Sequence, residues 1–115
     1  MTSKNVAAVL KKVLDLQVET IPMPEKPGPN EVLLKTLCVG LCGSDHHYWK
    51  HGKIAHFVVK DPLILGHETC ALVLEVGEGV HHLKVGDRVA VEPTVPCRLC
   101  NFCKTGSYNL CPHVK

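Results

Sequence analysis

At 115 residues, 45% of them hydrophobic, the chain is long enough for one domain with a core of its own. Lys and Arg number 13 and Asp and Glu 11, scattered along the chain, so there is no basic face of the kind that nucleic acid or an anionic membrane requires. No apolar stretch reaches membrane-spanning length, and the opening MTSKNVAAVLKK lacks the apolar segment and cleavage site of a secretory signal; the expected compartment is a reducing cytoplasm.

From Val6 to Thr20 short apolar runs and the strict alternation of LDLQVET predict half-buried strands, with Lys11 and Lys12 at the hairpin tip. IPMPEKPGPN follows, and Pro22, Pro24, Pro27 and Pro29 remove backbone donors and fix dihedrals, so neither helix nor central strand passes through it. EVLLKTLCVGLC predicts a strand ending at Cys42, and SDHHYWKHG a short helix capped by Ser44 and stopped by Gly52. LILGHETCALVLEV and KVGDRVAVEP are two further strand segments, the second with GD as a turn. The expected fold is mainly β: a small barrel of short strands joined by Gly and Pro turns.

Seven cysteines are an odd count, and in a reducing compartment thiols serve as ligands, catalytic groups or small buried hydrophobes more often than as disulfide partners. Four of them, Cys97-x2-Cys100-x2-Cys103-x7-Cys111, crowd one polar stretch. Thiolates two residues apart can converge on one cation, and the loop TGSYNL lets the fourth close a tetrahedron, as in a saturated structural zinc site. Disulfides at this spacing would close small, strained rings. An iron–sulfur cluster is the nearer rival, although in the ferredoxin run the last Cys follows after three residues and serves a second cluster. Zinc affinities of roughly 10–16 kcal/mol rival a domain's net stability of ~5–15 kcal/mol, so the lobe, about residues 93–115, is expected to need its metal to fold.

A saturated zinc has no open position for chemistry. Cys42, His67 and Glu68 are a second set of metal-type residues, each with glycine nearby, which suits a zinc held by three protein groups and open in the fourth place; from spacing alone the plainer reading, a core cysteine and a solvated His-Glu pair, is the favoured one. GLCGSDHHYW, GHE, VGEGVHHLKVGDRV and the four-cysteine lobe, in this order, resemble the N-terminal half of the catalytic domain of zinc-containing medium-chain alcohol dehydrogenases. CGSDHHYWKHGKI and FVVKDPLILGHE are most similar to the polyol branch, the sorbitol and xylitol dehydrogenases.

That resemblance implies a GroES-like barrel over residues 1–115, a catalytic and a structural zinc, and a Rossmann NAD(P)-binding domain outside this chain. It implies Cys42 and His67 as catalytic zinc ligands with Glu68 as ligand or near neighbour. Ser44 would receive the substrate proton, His47 would relay it to solvent, and Tyr48 would line the substrate cleft. Cys97, Cys100, Cys103 and Cys111 match the structural zinc ligands in full, and Ala71 stands where the family usually has glycine. The implied reaction takes a secondary alcohol of a polyol to a ketose, with NAD(P) accepting the hydride and a homo-oligomer as the whole enzyme. Gly77-Glu78-Gly79 lacks the third glycine of a dinucleotide fingerprint and reads as a turn. Lys115 closely follows the fourth cysteine, so the chain is expected to be a shortened piece that does not turn over alone. A non-catalytic zinc module kept for its fold or for a partner is the second reading.

The remaining marked residues have plainer expectations. Cys38 and Cys70 read as buried small hydrophobes and Trp49 as the helix's anchor to the core. His46, His51 and His56 edge the cleft or face water, and His81 and His82 are solvated in a turn. Asp87 and Arg88 serve a turn and its flanking strand.

Overall fold

The structure, a computed structural model, describes residues 4–114. Strands β1 (Val6–Lys12) and β2 (Asp15–Thr20) form an antiparallel hairpin, and β1 also pairs with the short β6 (Leu63–Ile64). Strand β3 (Val32–Gly40) pairs along its length with β7 (Glu68–Val76), which in turn pairs with β8 (Arg88–Val91). Between them lie helix α1 (Gly43–His51) and a small ribbon of β4 (Lys53–Ile54) and β5 (Phe57–Val58). The expected mainly β architecture is therefore present, as two three-stranded antiparallel sheets and one two-stranded ribbon. No helix among the described residues is long and apolar enough to cross a membrane.

Local sequence sets the element ends, with three differences from expectation. The hairpin tip is Val13–Leu14, because Lys12 pairs with Asp15 and Lys11 lies within the strand, its ammonium 2.7 Å from Glu19. Leu14 adopts a positive φ of 63° there and donates its N–H to the Trp49 carbonyl at 2.8 Å, docking the tip on the end of α1. Helix α1 is capped two residues before Ser44: Cys42 is its N-cap, and the Cys42 N–H donates to the Asp45 carboxylate at 3.2 Å. That backbone bond, one half of a capping box, outcompetes the serine hydroxyl as the cap. The helix ends at Gly52 as expected. Within the cysteine stretch two more helical turns appear, α2 (Asn101–Lys104) and a 3₁₀ turn at Tyr108–Leu110, and their shortness hides them from any periodicity reading.

The core is much smaller than composition suggests. Among the described residues only Val9, Leu10, Ala71, Val73 and Cys111 are buried apolar side chains, while Leu41 is 96% and Val18 80% exposed. The Cα radius of gyration is 16.1 Å, against roughly 13 Å for a compact domain of this length. The sheets flank an open trough of about 1200 Å³, lined by Leu16, Leu33, Val39, Trp49, Ile64 and Leu74 among others. Leu16 and Val18 thus alternate as predicted yet remain exposed. Cys38 is likewise exposed and Cys70 half-buried, which corrects the expectation that both are core hydrophobes.

Because Leu10 has no exposed surface, Leu10→Ala is expected to lower stability by about 2–5 kcal/mol. Leu41→Ala should change it by less than ~0.5 kcal/mol. Urea unfolding followed by circular dichroism measures both.

Candidate metal centres

Two groups of metal-type side chains converge among the described residues, Cys97–Cys100–Cys103–Cys111 and Cys42–His67–Glu68, each with its donor atoms within 4.8 Å of one another.

In the four-cysteine lobe the Cys97–Cys103, Cys100–Cys103 and Cys100–Cys111 sulfurs stand 3.9, 3.5 and 3.9 Å apart. A disulfide would bring sulfurs to ~2.05 Å, whereas four thiolates at ~2.3 Å from a tetrahedral zinc lie about 3.8 Å from one another. The observed separations match the tetrahedron. Backbone N–H groups point at the sulfurs: Leu99 and Cys100 donate to Cys97 at 3.4 and 3.3 Å, and Cys97 and His113 donate to Cys111 at 3.4 Å each. Arg98 takes a positive φ of 61° to turn the chain between the first two cysteines. Those donors hold the Cys97 thiol down to about 6, while burial, together with the Cys100 thiol, pushes Cys103 up to about 12. One sulfur is already anionic at neutral pH and another gives up its proton only to a cation.

The second group stands at a junction made by pairing. Gly40, the last residue of β3, is the partner of Glu68, the first of β7, so Cys42 just beyond β3 meets His67 just before β7. A Cβ on Gly40 would collide with the Glu68 side chain, so the absence of one leaves room for that carboxylate. Gly66, at φ 102°, supplies the bend before His67, and a Cβ there would meet Val39 at 2.7 Å.

The residue that binds the junction together is Asp45, which sequence reasoning missed. It is 8% exposed, the one buried charged side chain among the described residues. One carboxylate oxygen accepts the Cys42 N–H at 3.2 Å, and the other lies 3.2 Å from His67 Nδ1. A carboxylate at Nδ1 requires the proton on that nitrogen, which leaves Nε2 with a free lone pair for a metal. The Cys42-to-Asp45 spacing of a capping box was the sequence signal that could have found it.

The electrostatics ease ionisation of Cys42 and favour the protonated form of His67. Hydrogen bonding from Ser44 and from His67 lowers the Cys42 thiol, and the bond to Cys42, outweighing desolvation, raises His67. The Ser44 hydroxyl sits 3.3 Å from His67 Nε2, inside the cluster. Tyr48 is half-buried on α1, one turn beyond Ser44, and His47 is exposed with its ring against His51. Neither hydrogen-bonds to Cys42, His67 or Glu68. His46, His51, His56, His81 and His82 are all exposed, and Trp49 is half-buried beside the trough.

The donor chemistry of both groups fits zinc: four thiolates for a closed site, and thiolate, imidazole and carboxylate for an open one. The Cys97 thiol, held at about 6, lies below its ordinary range, so its N–H···S contacts add stability above that range and lose it as pH falls through about 6. In the metal-free chain, iodoacetamide should modify Cys97 half-maximally near pH 6 and leave Cys103 unmodified at neutral pH, as read by peptide mapping. Asp45→Asn should weaken metal retention at Cys42–His67 by about 10–100-fold and leave the four-cysteine lobe unchanged, as read by chelator competition.

The family model described as "Alcohol dehydrogenase GroES-like domain" matches residues 28–115. The chain is 58% identical over 113 residues to a sorbitol dehydrogenase of Gallus gallus, covering 98% of this chain and 32% of that protein. It is 53% identical over 110 residues to "Probable D-xylulose reductase A" of Aspergillus clavatus, covering 96% and 31%. The crystal structure of a protein described as a "short chain alcohol dehydrogenase" from Escherichia coli, complexed with NADH, superposes with a TM-score of 0.80 at 33% identity, covering 96% of this chain and 31% of that one. The chain spans about a third of the length of the curated relatives it matches. With the family model matching most of the chain, the protein belongs to the alcohol dehydrogenase GroES-like domain family and is similar to sorbitol dehydrogenase and D-xylulose reductase.

Proposed function

We propose that this chain is the metal-holding part of the catalytic domain of a zinc-dependent NAD(P) polyol dehydrogenase, which oxidises a secondary alcohol of a sorbitol- or xylitol-like substrate to a ketose. The observation that carries the reading is the Cys42–His67–Glu68 trio, three donors of different type within 4.8 Å. Three protein ligands leave a fourth place for substrate, as catalytic zinc sites require. The likeness to sorbitol dehydrogenase and D-xylulose reductase supports the substrate class.

In this reading Cys42, His67 and Glu68 hold the ion, and Asp45 fixes the His67 tautomer and orientation through Nδ1. The zinc supplies a Lewis acid that makes an alcohol O–H acidic near neutral pH. Ser44, with its hydroxyl 3.3 Å from His67 Nε2, receives the substrate proton. His47, exposed on α1, would hand that proton on to water, and Tyr48, one turn beyond Ser44, lines the cleft. A nicotinamide cofactor, when bound, would supply the hydride acceptor. Its binding belongs to a Rossmann domain outside this chain, whose G-x-G, Gly77-Glu78-Gly79, lies in the loop after β7 with the Gly77 N–H on the Glu31 carbonyl. The four-cysteine lobe is structural. All seven cysteines are free thiols, which suits a reducing, cytoplasmic setting.

Metal counting by mass spectrometry tests the division of labour. The zinc-loaded chain should hold two ions. Cys42→Ser should hold one and keep its fold, and Cys103→Ser should lose the other and disorder the lobe. A single ion in the parent chain, unaffected by Cys42→Ser, would leave only the non-catalytic zinc module.

A further inference from the structure

Helix α1 bears three histidines, and the proposed chemistry uses only one. His47 and His51 are four residues apart, the spacing at which side chains share one helix face. Their ring centroids stand 4.5 Å apart at an interplanar angle of 47°. Both are exposed. Among the described residues His67 is the only histidine whose ring has a hydrogen-bond or ion-pair partner, so the nitrogens of His47 and His51 are uncommitted. Two histidines at this helical spacing are the arrangement by which a helix chelates a metal ion.

The ring separation also selects the ion. With a metal–nitrogen bond of ~2.05 Å and a ring centroid about 1.1 Å further out, imidazoles at ~90° stand roughly 4.5 Å apart, and at the tetrahedral angle about 5.2 Å. The observed 4.5 Å fits the right angle. Rotation about χ2 of an exposed histidine is broad and nearly preserves the centroid, so each ring can turn a nitrogen toward the shared point. Square-planar and tetragonal nitrogen sites are those of copper(II) and nickel(II). We propose that His47 and His51 form a chelating pair on α1 for a divalent transition ion of right-angled coordination, separate from both cysteine-containing sites.

Desolvation first, then the charges of His47, Lys50 and His46, hold the His51 ring below the usual imidazole range, so it offers a lone pair at neutral pH. On the proposed function, and resting on it, an ion here would occupy the His47 imidazole needed to pass the proton to water and so slow turnover.

The test is residue-resolved. Nickel(II) is added below one equivalent to the zinc-loaded, isotope-labelled chain, and histidine ring resonances are followed by NMR, with bound zinc counted before and after. The His47 and His51 rings should broaden together and first, while the zinc count holds. His51→Ala and His51→Asn should both abolish the broadening at His47 and leave the amide spectrum intact. Equal broadening at His46, His56, His81 and His82, or His47 broadening that survives both variants, would overturn the pair. Since zinc counting is separate, loss of this pair would leave the dehydrogenase reading standing, and a missing Cys42 zinc would leave the pair standing.

Discussion

The register of β3 on β7 is the constraint on which the rest of the site depends. It sets Gly40 opposite Glu68 and so brings Cys42 and His67, more than twenty residues apart in sequence, to one point. A slip by one residue would turn every side chain of one strand to the opposite face. The strands prevent this with their ends as much as their middles. Gly40 admits only the Glu68 side chain beside it, Gly66 bends the chain into His67, and Asp45 ties the incoming helix to both sides of the joint. One buried carboxylate thus caps a helix, orients a ligand ring and fixes its tautomer.

The two cysteine-containing sites differ in how they are built, and the difference explains their legibility. The lobe is local: its sulfurs come from fifteen consecutive residues, and turns at Arg98 and Asn101–Lys104 bring them together. Spacing alone is enough to read such a site. The Cys42–His67 junction is non-local and depends on a strand register that no single-sequence pattern reports. It was visible only through resemblance of whole motifs. Asp45 escaped because a buried carboxylate looks like any helix-start acid until its partners are known. The helix end at Gly52 was legible, and its start was not, since a backbone-to-carboxylate bond displaced the expected serine cap.

Composition misled most about the core. Hydrophobic content counts apolar residues but says nothing of whether two faces close on each other. Here the alternation in β2 is real, with Leu16 turned to the trough between the sheets, and that trough stays open. The same limit applies to Cys38 and Cys70, cross-strand partners on β3 and β7 in apolar sequence that nonetheless sit at a half-open surface.

An open core and an ordered site can coexist because they rest on different forces. Burying an apolar side chain of Leu or Val size contributes roughly 1.5–3 kcal/mol, and much of that gain is unrealised where Leu41, Val18 and Leu99 face water. The junction instead depends on backbone pairing, a glycine bend and one satisfied buried carboxylate, none of which needs the trough to close. Four converging thiols could hold a structural zinc, which would contribute ~10–16 kcal/mol, as much as the net stability of an entire small domain. In a chain with so little buried apolar surface, such an ion would be the larger part of what holds residues 97–111 in shape, while the pairing of β3 and β7 is the larger part of what aims Cys42 at His67.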